Sequence, residues 1–545
     1  GMVLLLASQP VEGPPRWRLV LVLAAASLSR PEATMIVLCV IGISVIQRLR
    51  QRDLRAAARW LVPLSAPFLW VVANRVLAGN FFPNTGVVKS HFYLPGFDWA
   101  YWRDAVPTQL WAMLRALFWA PDSALIFPRV IAVLFVVGAV RIARWGRREN
   151  KRLAAAALIG SPLVLMLSVV CTSGVGGWSF QNLRYIATAL PLISLVAACA
   201  LAPVQWEKPW SITSGVLAIV YAVFAFAPLR EHMWLFAQGA MDTNSQVVTI
   251  GNYVHAKLPG ANLMFHDAGA VAYYGDGRVY DMLGLVTNDQ AGIANNGPGA
   301  RFEFLESLPP EQRPTHFAYY PGWMGTPEFY GEVLLHTALR PGLPTKLHRL
   351  VGEGDMQVIA ATWDHAHTGE RPIDEHSGWS VVDRIDIADM ASERAHGWKG
   401  GLGRRSFGDP TAKWSIVERE LLQTGLVIDG GRTIRDHGER FTIHLDHQKP
   451  ARIVIRTGGQ PGYPFNEALT RPVAVKLFAG NKELAHLDLP AAAGHFQEFA
   501  FNLPQRALRE YVVELRTEAA GPYRVFHWFV LQPDKAPEPA IVYPP

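Results

Sequence analysis

The chain has 545 residues, half of them hydrophobic and 18% charged, with a mean hydropathy of +0.13, which excludes a disordered chain and a fibrous repeat. The net charge of +6 does not mark a nucleic-acid binder, because residues 1–229 carry 21 Lys and Arg against 8 Asp and Glu while 230–545 carry 30 against 37. The positive excess lies in the hydrophobic half, where basic loops orient a protein in a membrane. Cys39, Cys171 and Cys199 all lie in or beside apolar runs, so the polar half holds neither a disulfide framework nor a cysteine zinc site.

Gly1–Ala7 is apolar but too short to span, and it lacks the charged start and small-residue cleavage site of a signal peptide. It reads as the end of a helix that begins upstream. Leu19–Ile46 is apolar but interrupted at Ser29-Arg30-Pro31-Glu32, either two short helices meeting at a polar break or a loop between packed spans. Spans of about 20 residues are expected at Trp60–Leu77, Ala124–Val140, Leu153–Cys171, Tyr185–Pro203 and Ser211–Pro228. The arginine-rich loops at 48–59 and 141–152 belong on the cytoplasmic side, which places the loop 78–123, the loop 172–184 and everything after Arg230 outside. The expected location is therefore a bacterial inner membrane, with a polytopic domain over 1–230.

Beyond it, Ser245–Leu258 reads as an amphipathic helix, and the apolar runs Leu263–His266, Val271–Tyr274, Val279–Leu283 and Thr315–Tyr320 read as strands of a small α/β module over 231–370. Thr362–Pro372 is polar and reads as a linker. From 371 to 545, short strands at regular spacing predict a β-sandwich of jelly-roll or carbohydrate-module type. They are Phe441–Asp446, Ala451–Thr457, Val473–Ala479, Leu484–Leu489, Phe496–Asn502, Tyr511–Thr517 and Arg524–Leu531.

The string Asn80–Lys89 in the first outer loop contains Pro83-Asn84-Thr85-Gly86, an ordinary turn below aromatic anchors. Lys89 beside Asn84 and Thr85 equally suits an anionic phosphate headgroup. Three strings, Leu28-Ser29-Arg30-Pro31-Glu32, Phe82-Pro83-Asn84-Thr85 with Lys89, and Asn182-Leu183-Arg184-Tyr185, together resemble the bacterial membrane glycosyltransferases of the GT-C class. Asp267–Tyr274 followed by Tyr280-Asp281-Met282-Leu283-Gly284-Leu285 is similar to that group's extracytoplasmic domain, and the layout is similar to the mycobacterial terminal arabinofuranosyltransferase type. The resemblance covers residues 17–290 by motif and the rest by architecture. It implies a GT-C-like helical membrane domain, a polyprenyl-phosphate sugar donor in the membrane lipid, an extracytoplasmic glycan or glycolipid acceptor and, by analogy, a divalent metal; the sequence itself shows no cofactor and no metal ligands.

Such enzymes carry an acidic general base in their first outer loop. No Asp-Asp or Asp-x-Glu pair occurs in residues 1–229, so the base is expected upstream of Gly1 and the chain alone is expected to be inactive. Transfer from a lipid phosphate needs cations at the leaving group, a role open to Lys89, Arg184 and Arg30 with Asn84 and Thr85. Arg184 equally suits an interfacial anchor, and Pro31, Glu32 and Pro83 suit a structural break in which Glu32 holds Arg30. Asp267, Tyr273, Tyr274 and Asp281 suit an acceptor site, or else turn-forming aspartates with core tyrosines.

Trp379, Trp398, Trp414 and Trp528 suit a sugar platform or the sandwich core, with core favoured. His266-Asp267 and the pairs His365/His367 and His444/His447 show no recognisable metal-site arrangement with acidic partners and read as surface or strand residues, and Gly400-Gly401 and Gly430-Gly431 follow no phosphate-loop pattern. A non-catalytic, membrane-anchored glycan-binding protein is the alternative. A transporter fits least, since no second broken helix matches Arg30–Glu32.

Overall fold

The computed structural model describes residues 14–90, 92, 98–118, 130–172, 184–201, 212–288, 290–324, 329–339, 351–352, 354–404, 413–458, 471–490, 495–503 and 512–534. The chain divides into two units, one mainly of residues up to Phe92 with Trp102–Asn244, the other mainly of Ser245–Leu339 with Gly352–Pro545. The second unit therefore runs across the expected boundary at 370.

The first unit is helical: α1 (Trp17–Ser29), α2 (Pro31–Arg50), α3 (Leu54–Leu61), α4 (Ser65–Ala78), α5 (Asn84–Lys89), α6 (Trp99–Phe118), α7 (Val130–Arg148), α8 (Arg152–Thr172), α9 (Ala189–Leu201) and α10 (Ile212–Thr243). Among the described residues, Glu32–Arg50, Leu54–Ala78 and Arg152–Thr172 are long and apolar enough to cross a membrane, and α1 and α9 are apolar but shorter. The core between α2, α6 and α8 buries Val37, Met113, Leu117 and Val170 completely.

The polar break in Leu19–Ile46 is one residue wide. Arg30 alone is extended (φ −156°, ψ 143°) between α1 and α2, and Pro31 takes the first helical position, where its missing N–H is not needed. The segment expected as the outer loop 78–123 contains α5 and α6. In α6 the buried residues Ala105, Gln109, Met113 and Leu117 recur every fourth position; Arg103, Asp104 and Pro107 between them mask that stripe in the sequence. The expected span Ala124–Val140 is described from Val130 as α7, Tyr185–Pro203 becomes helical only at Ala189, and Ser211–Pro228 is the start of the 32-residue α10. Residues 173–183 and 202–211, with Asn182 and Leu183, lie outside the described residues, as do Gly1–Ala7.

In the second unit, a π turn at Asn244–Val248 precedes α11 (Thr249–Lys257), where one amphipathic helix is expected. Then follow β1 (Asn262–Phe265), α12 (Ala270–Gly275), β2 (Arg278–Asp281), α13 (Gln290–Asn296), α14 (Pro298–Ser307), β3 (His316–Tyr319), α15 (Pro321–Met324), β4 (Gly331–Ala338) and β5 (Asp355–Ala361). They form a sheet of order β2-β1-β3-β5-β4, in which β1 runs parallel to β2 and β3. The run Val271–Tyr274 is helix α12, not the expected strand. Parallel neighbours need a crossover between them, and four apolar residues have no period that distinguishes the two states.

The remaining strands are β6 (Trp379–Asp386), β7 (Lys399–Gly400), β8 (Ile416–Leu422), β9 (Gly425–Ile434), β10 (Glu439–His444), β11 (Ala451–Thr457), β12 (Val473–Ala479), β13 (Lys482–Leu489), β14 (Gln497–Leu503), β15 (Val512–Ala519), β16 (Tyr523–Val525) and β17 (His527–Pro533), with helix α16 (Met390–Ala395) after β6. Two sheets, β13-β12-β15-β10-β7 and β14-β11-β17-β6, enclose a core that includes Phe441, Ile453, Val475, Leu515 and Trp528, with β16-β9-β8 beside them. Strands β11 and β12 fall where expected. The expected strand Arg524–Leu531 is two strands, broken at the buried Phe526. β6, β7, β8 and β9 are unanticipated; in β9 the Asp429-Gly430-Gly431 string, of residue types that favour turns, is fully inside.

The expected linker Thr362–Pro372 is packed. His365 lies parallel to Phe302 at 6.1 Å, the Gly369 carbonyl accepts from Arg456, and Glu370 pairs with Arg384 at 2.7 Å. Helix α14 lies so close to β8 that a Cβ at Gly299 would collide with the carbonyl of Ile416. The α/β segment and the sandwich share this packing rather than a solvated joint.

Candidate functional site

In the helical unit, Pro83 leads into α5, its carbonyl accepting from Gly86 and Val87, so the expected turn opens a helix. Asn84 accepts from the side chain of Asn80 at 3.4 Å, Thr85 is exposed, and Lys89 closes the helix. Lys89 Nζ donates to the Tyr185 hydroxyl at 2.8 Å, and Arg184 donates to the same oxygen at 3.1 Å. Both cations also lie over the Tyr185 ring, 5.5 and 5.1 Å from its centroid. Two residues 95 positions apart thus share one neutral partner, and no ion pair to Lys89 or Arg184 occurs among the described residues. Such a pair of cations keeps donors free for an anion. Arg30 instead pairs with Glu32 at 3.4 Å, the structural role open to it in the sequence.

In the second unit, the carboxyl ends of β1, β2 and β3 gather His266, Asp267, Asp281 and Tyr320. This is the edge of a parallel sheet where ligands commonly bind. Asp267 has φ +63° and accepts from the Tyr320 hydroxyl at 2.9 Å. Asp281 is fully buried and accepts from the amides of Leu283 (2.9 Å), Leu285 (2.6 Å) and Val286 (3.1 Å), so its carboxylate is occupied in forming the turn. Tyr273 and Tyr274 are not core residues: they are 80% and 42% exposed and meet edge to face at 5.1 Å. Tyr-Tyr beside a Gly-Asp-Gly turn reads equally as core or surface, so the sequence alone leaves both open.

Nothing in the sequence marks Arg301 in α14, which is fully buried with no hydrogen bond to its guanidinium among the described residues. Burial lowers it to about 10 against the pull of Tyr330 and Asp281. Burial, and then Arg301, push His266 well below the ordinary imidazole range.

Between the sheets, Arg456 donates to Asp429 at 2.6 Å and pairs with Glu498 at 2.9 Å, all three enclosed. His527 lies 3.0 Å from Asp429 and 3.4 Å from Asp386. Burial pushes its imidazole down, but Asp429 and Asp386 pull it further up, to about 10. Glu306 rises to about 7 through burial; with Glu303, Glu370, Arg384 and Asp386 it faces a polar cavity of about 210 Å³.

The fold also supplies acidic partners to histidines that lack them in sequence. His367 meets Glu306 and Glu370, and His444 meets Asp383 and His396. Of the four tryptophans, Trp528 is fully buried, as the favoured core reading expects. Trp379 is partly exposed beneath Arg452, 4.4 Å from its ring.

A family model described as a domain of unknown function (DUF8728) matches residues 237–382. No curated protein matches the chain. Similar solved structures include a carbohydrate-binding module of the lichenase 5A of Cellvibrio mixtus in complex with cellotriose, at 13% identity over 28% of this chain and 97% of that one, with a TM-score of 0.17. The tandem modules of a family 98 glycoside hydrolase from Streptococcus pneumoniae match at 10% identity over 32% and 53%, with a TM-score of 0.17. A Stig cyclase from Fischerella matches at 12% identity over 31% and 96%, with a TM-score of 0.19.

Proposed function

We propose that the chain is an integral membrane glycosyltransferase, or the C-terminal portion of one, that transfers a sugar from a polyprenyl-phosphate donor to an extracytoplasmic glycan or glycolipid. The observation that supports this reading is the meeting of Lys89 and Arg184 on the Tyr185 hydroxyl. A phosphate leaving group takes its stabilisation from such donors, and a neutral phenol gives them up without leaving a carboxylate unpaired. In this reading the helices lie in the inner membrane, the second unit faces outward, and the exposed Tyr273–Tyr274 pair offers ring faces to the acceptor sugar.

The test is binding of undecaprenyl phosphate and of undecaprenol to the chain in detergent micelles, measured by native mass spectrometry. The phosphate is expected to bind at least about tenfold more tightly, the worth of one or two charge-assisted hydrogen bonds, and Lys89→Ala with Arg184→Ala should erase the difference. Equal binding of phosphate and alcohol to the unaltered chain would remove the donor site from the proposal. Glycan binding that depends on Tyr273, with no discrimination between the two lipids, would favour the non-catalytic, membrane-anchored glycan-binding reading.

A further inference from the structure

Asp383 in β6 stands between two imidazoles. Its Oδ1 lies 3.2 Å from Nε2 of His396, which follows α16, and its Oδ2 lies 3.2 Å from Nδ1 of His444, the last residue of β10. One ligand atom from each residue fits within a sphere of mutual distances no greater than 4.8 Å.

Each group is also braced from behind. His396 Nδ1 is 2.8 Å from the Ser392 carbonyl, which only accepts, so that nitrogen carries its proton. The two Asp383 oxygens accept the amides of Arg384 (3.0 Å) and His444 (2.6 Å). Nε2 of His396 then faces a carboxylate with one lone pair of its own, and only a second proton or a cation makes that contact attractive. We propose that Asp383, His396 and His444 bind a divalent transition-metal ion of the zinc class, the metal replacing the second imidazole proton.

The two carboxylate–imidazole contacts already stand at ligand spacing, on different oxygens of Asp383, and one ligand atom from each residue lies within 4.8 Å of the others. Ligands at about 2.1 Å in a tetrahedral shell stand about 3.4 Å apart, close to the 3.2 Å N–O separations. Two imidazoles and one carboxylate are a donor set for zinc-class ions, whereas calcium and magnesium take oxygen alone. The carbonyl behind His396 and the amides behind Asp383 are the outer partners that fix ligand orientation in such centres. The Arg384 guanidinium, which would compete for Asp383, is turned to Glu370 at 2.7 Å. His444 has 54% of its side chain exposed, which provides an entry path and leaves a fourth position for water. The ligands are spread over residues 383 to 444 and no two of them share a short motif, so a motif reading passes over them.

The test is calorimetric titration of ZnCl₂ into the full chain in detergent micelles after removal of metal with a chelator. One ion per chain is expected, with affinity lowered at least about 100-fold in His444→Ala and in His396→Ala, a loss at or above that of an outer-shell partner. His367→Ala, in the separate cluster with Glu306 and Glu370, should leave the titration unchanged. Absence of saturable binding to the unaltered chain overturns the proposal, as does binding that survives both histidine substitutions. His444 is exposed enough that its alanine variant tests the site even if His396→Ala does not fold.

Discussion

Arg456 in the β-rich unit and Lys89 in the helical unit are both cations drawn off the surface, and they are held in opposite ways. Arg456 sits between Asp429 and Glu498, with the Gly369 and Arg371 carbonyls on its remaining donors. Lys89 shares a phenol with a second cation, Arg184. A buried charge enclosed by opposite charge maintains structure and has little capacity left for a ligand. A cation resting on a neutral group keeps most of its attraction for an incoming anion. Charge compensation, more than charge itself, separates the framework of this molecule from its candidate chemistry.

The sharpest way to break that comparison is Arg456→Met. It would leave Glu498 buried without its counter-ion and Asp429 with only His527, and should destabilise the β-rich unit by about 3–5 kcal/mol, read by urea unfolding of the full chain in micelles. A small effect would mean that the pair is compensated elsewhere. The next test is pH. Because His527 is raised to about 10 in the folded state, its contribution to stability is fully present below about 6.5 and is lost as pH rises through 10. Unfolding free energy should fall over that window by at most about 1.4 kcal/mol per pH unit from this group, and His527→Asn should flatten the slope. A slope unchanged in the variant would assign the dependence to other groups.

In the helical unit the same kind of change should scarcely register in stability. Lys89→Ala and Arg184→Ala are each expected to cost less than about 1 kcal/mol, as for exposed or singly bonded cations, while removing the preference for a lipid phosphate. A loss as large as that of Arg456→Met would make the two sites alike and defeat the contrast. The smallest effect is expected for Tyr273→Ala, within about 0.5 kcal/mol of the unaltered chain as for other surface substitutions. A clear drop in melting temperature would instead mark Tyr273 as a packing residue.

What was legible in the sequence followed composition and period. The runs Ala451–Thr457 and Val473–Ala479 coincide with β11 and β12 because both are short, β-branched apolar runs; burial alternates over most of β12, whereas β11 is buried at every position but Arg452. The helical Leu153–Cys171 lies within α8 because its apolar run is unbroken. The reading failed where a residue had two uses. Asp429-Gly430-Gly431 does not read as a strand because its residue types favour turns, but the glycines admit Glu303 and Phe526 at close range and the aspartate serves Arg456. Lys89 and Arg184 were each identifiable as outward cations, yet their common partner Tyr185 was not, since no local pattern encodes a contact across 96 residues. Asp267 and Asp281 both read as turn-forming aspartates in the sequence; only the fold separates the one that bonds a tyrosine from the one that forms a turn.

The single extended residue between α1 and α2 has a mechanical consequence. A joint of one residue has no slack, since the Cα atoms of Ser29 and Pro31 can stand at most about 7.6 Å apart across two trans peptides. A displacement of either helix along its axis is therefore handed directly to the other, and the two act as a coupled lever. Replacing the Arg30 side chain would remove the Glu32 ion pair but leave that coupling in place. Inserting one or two residues would lengthen the joint and draw the Thr34 hydroxyl away from the Ser27 carbonyl that it bonds at 2.9 Å, so chain length and one hydrogen bond together carry the transmission.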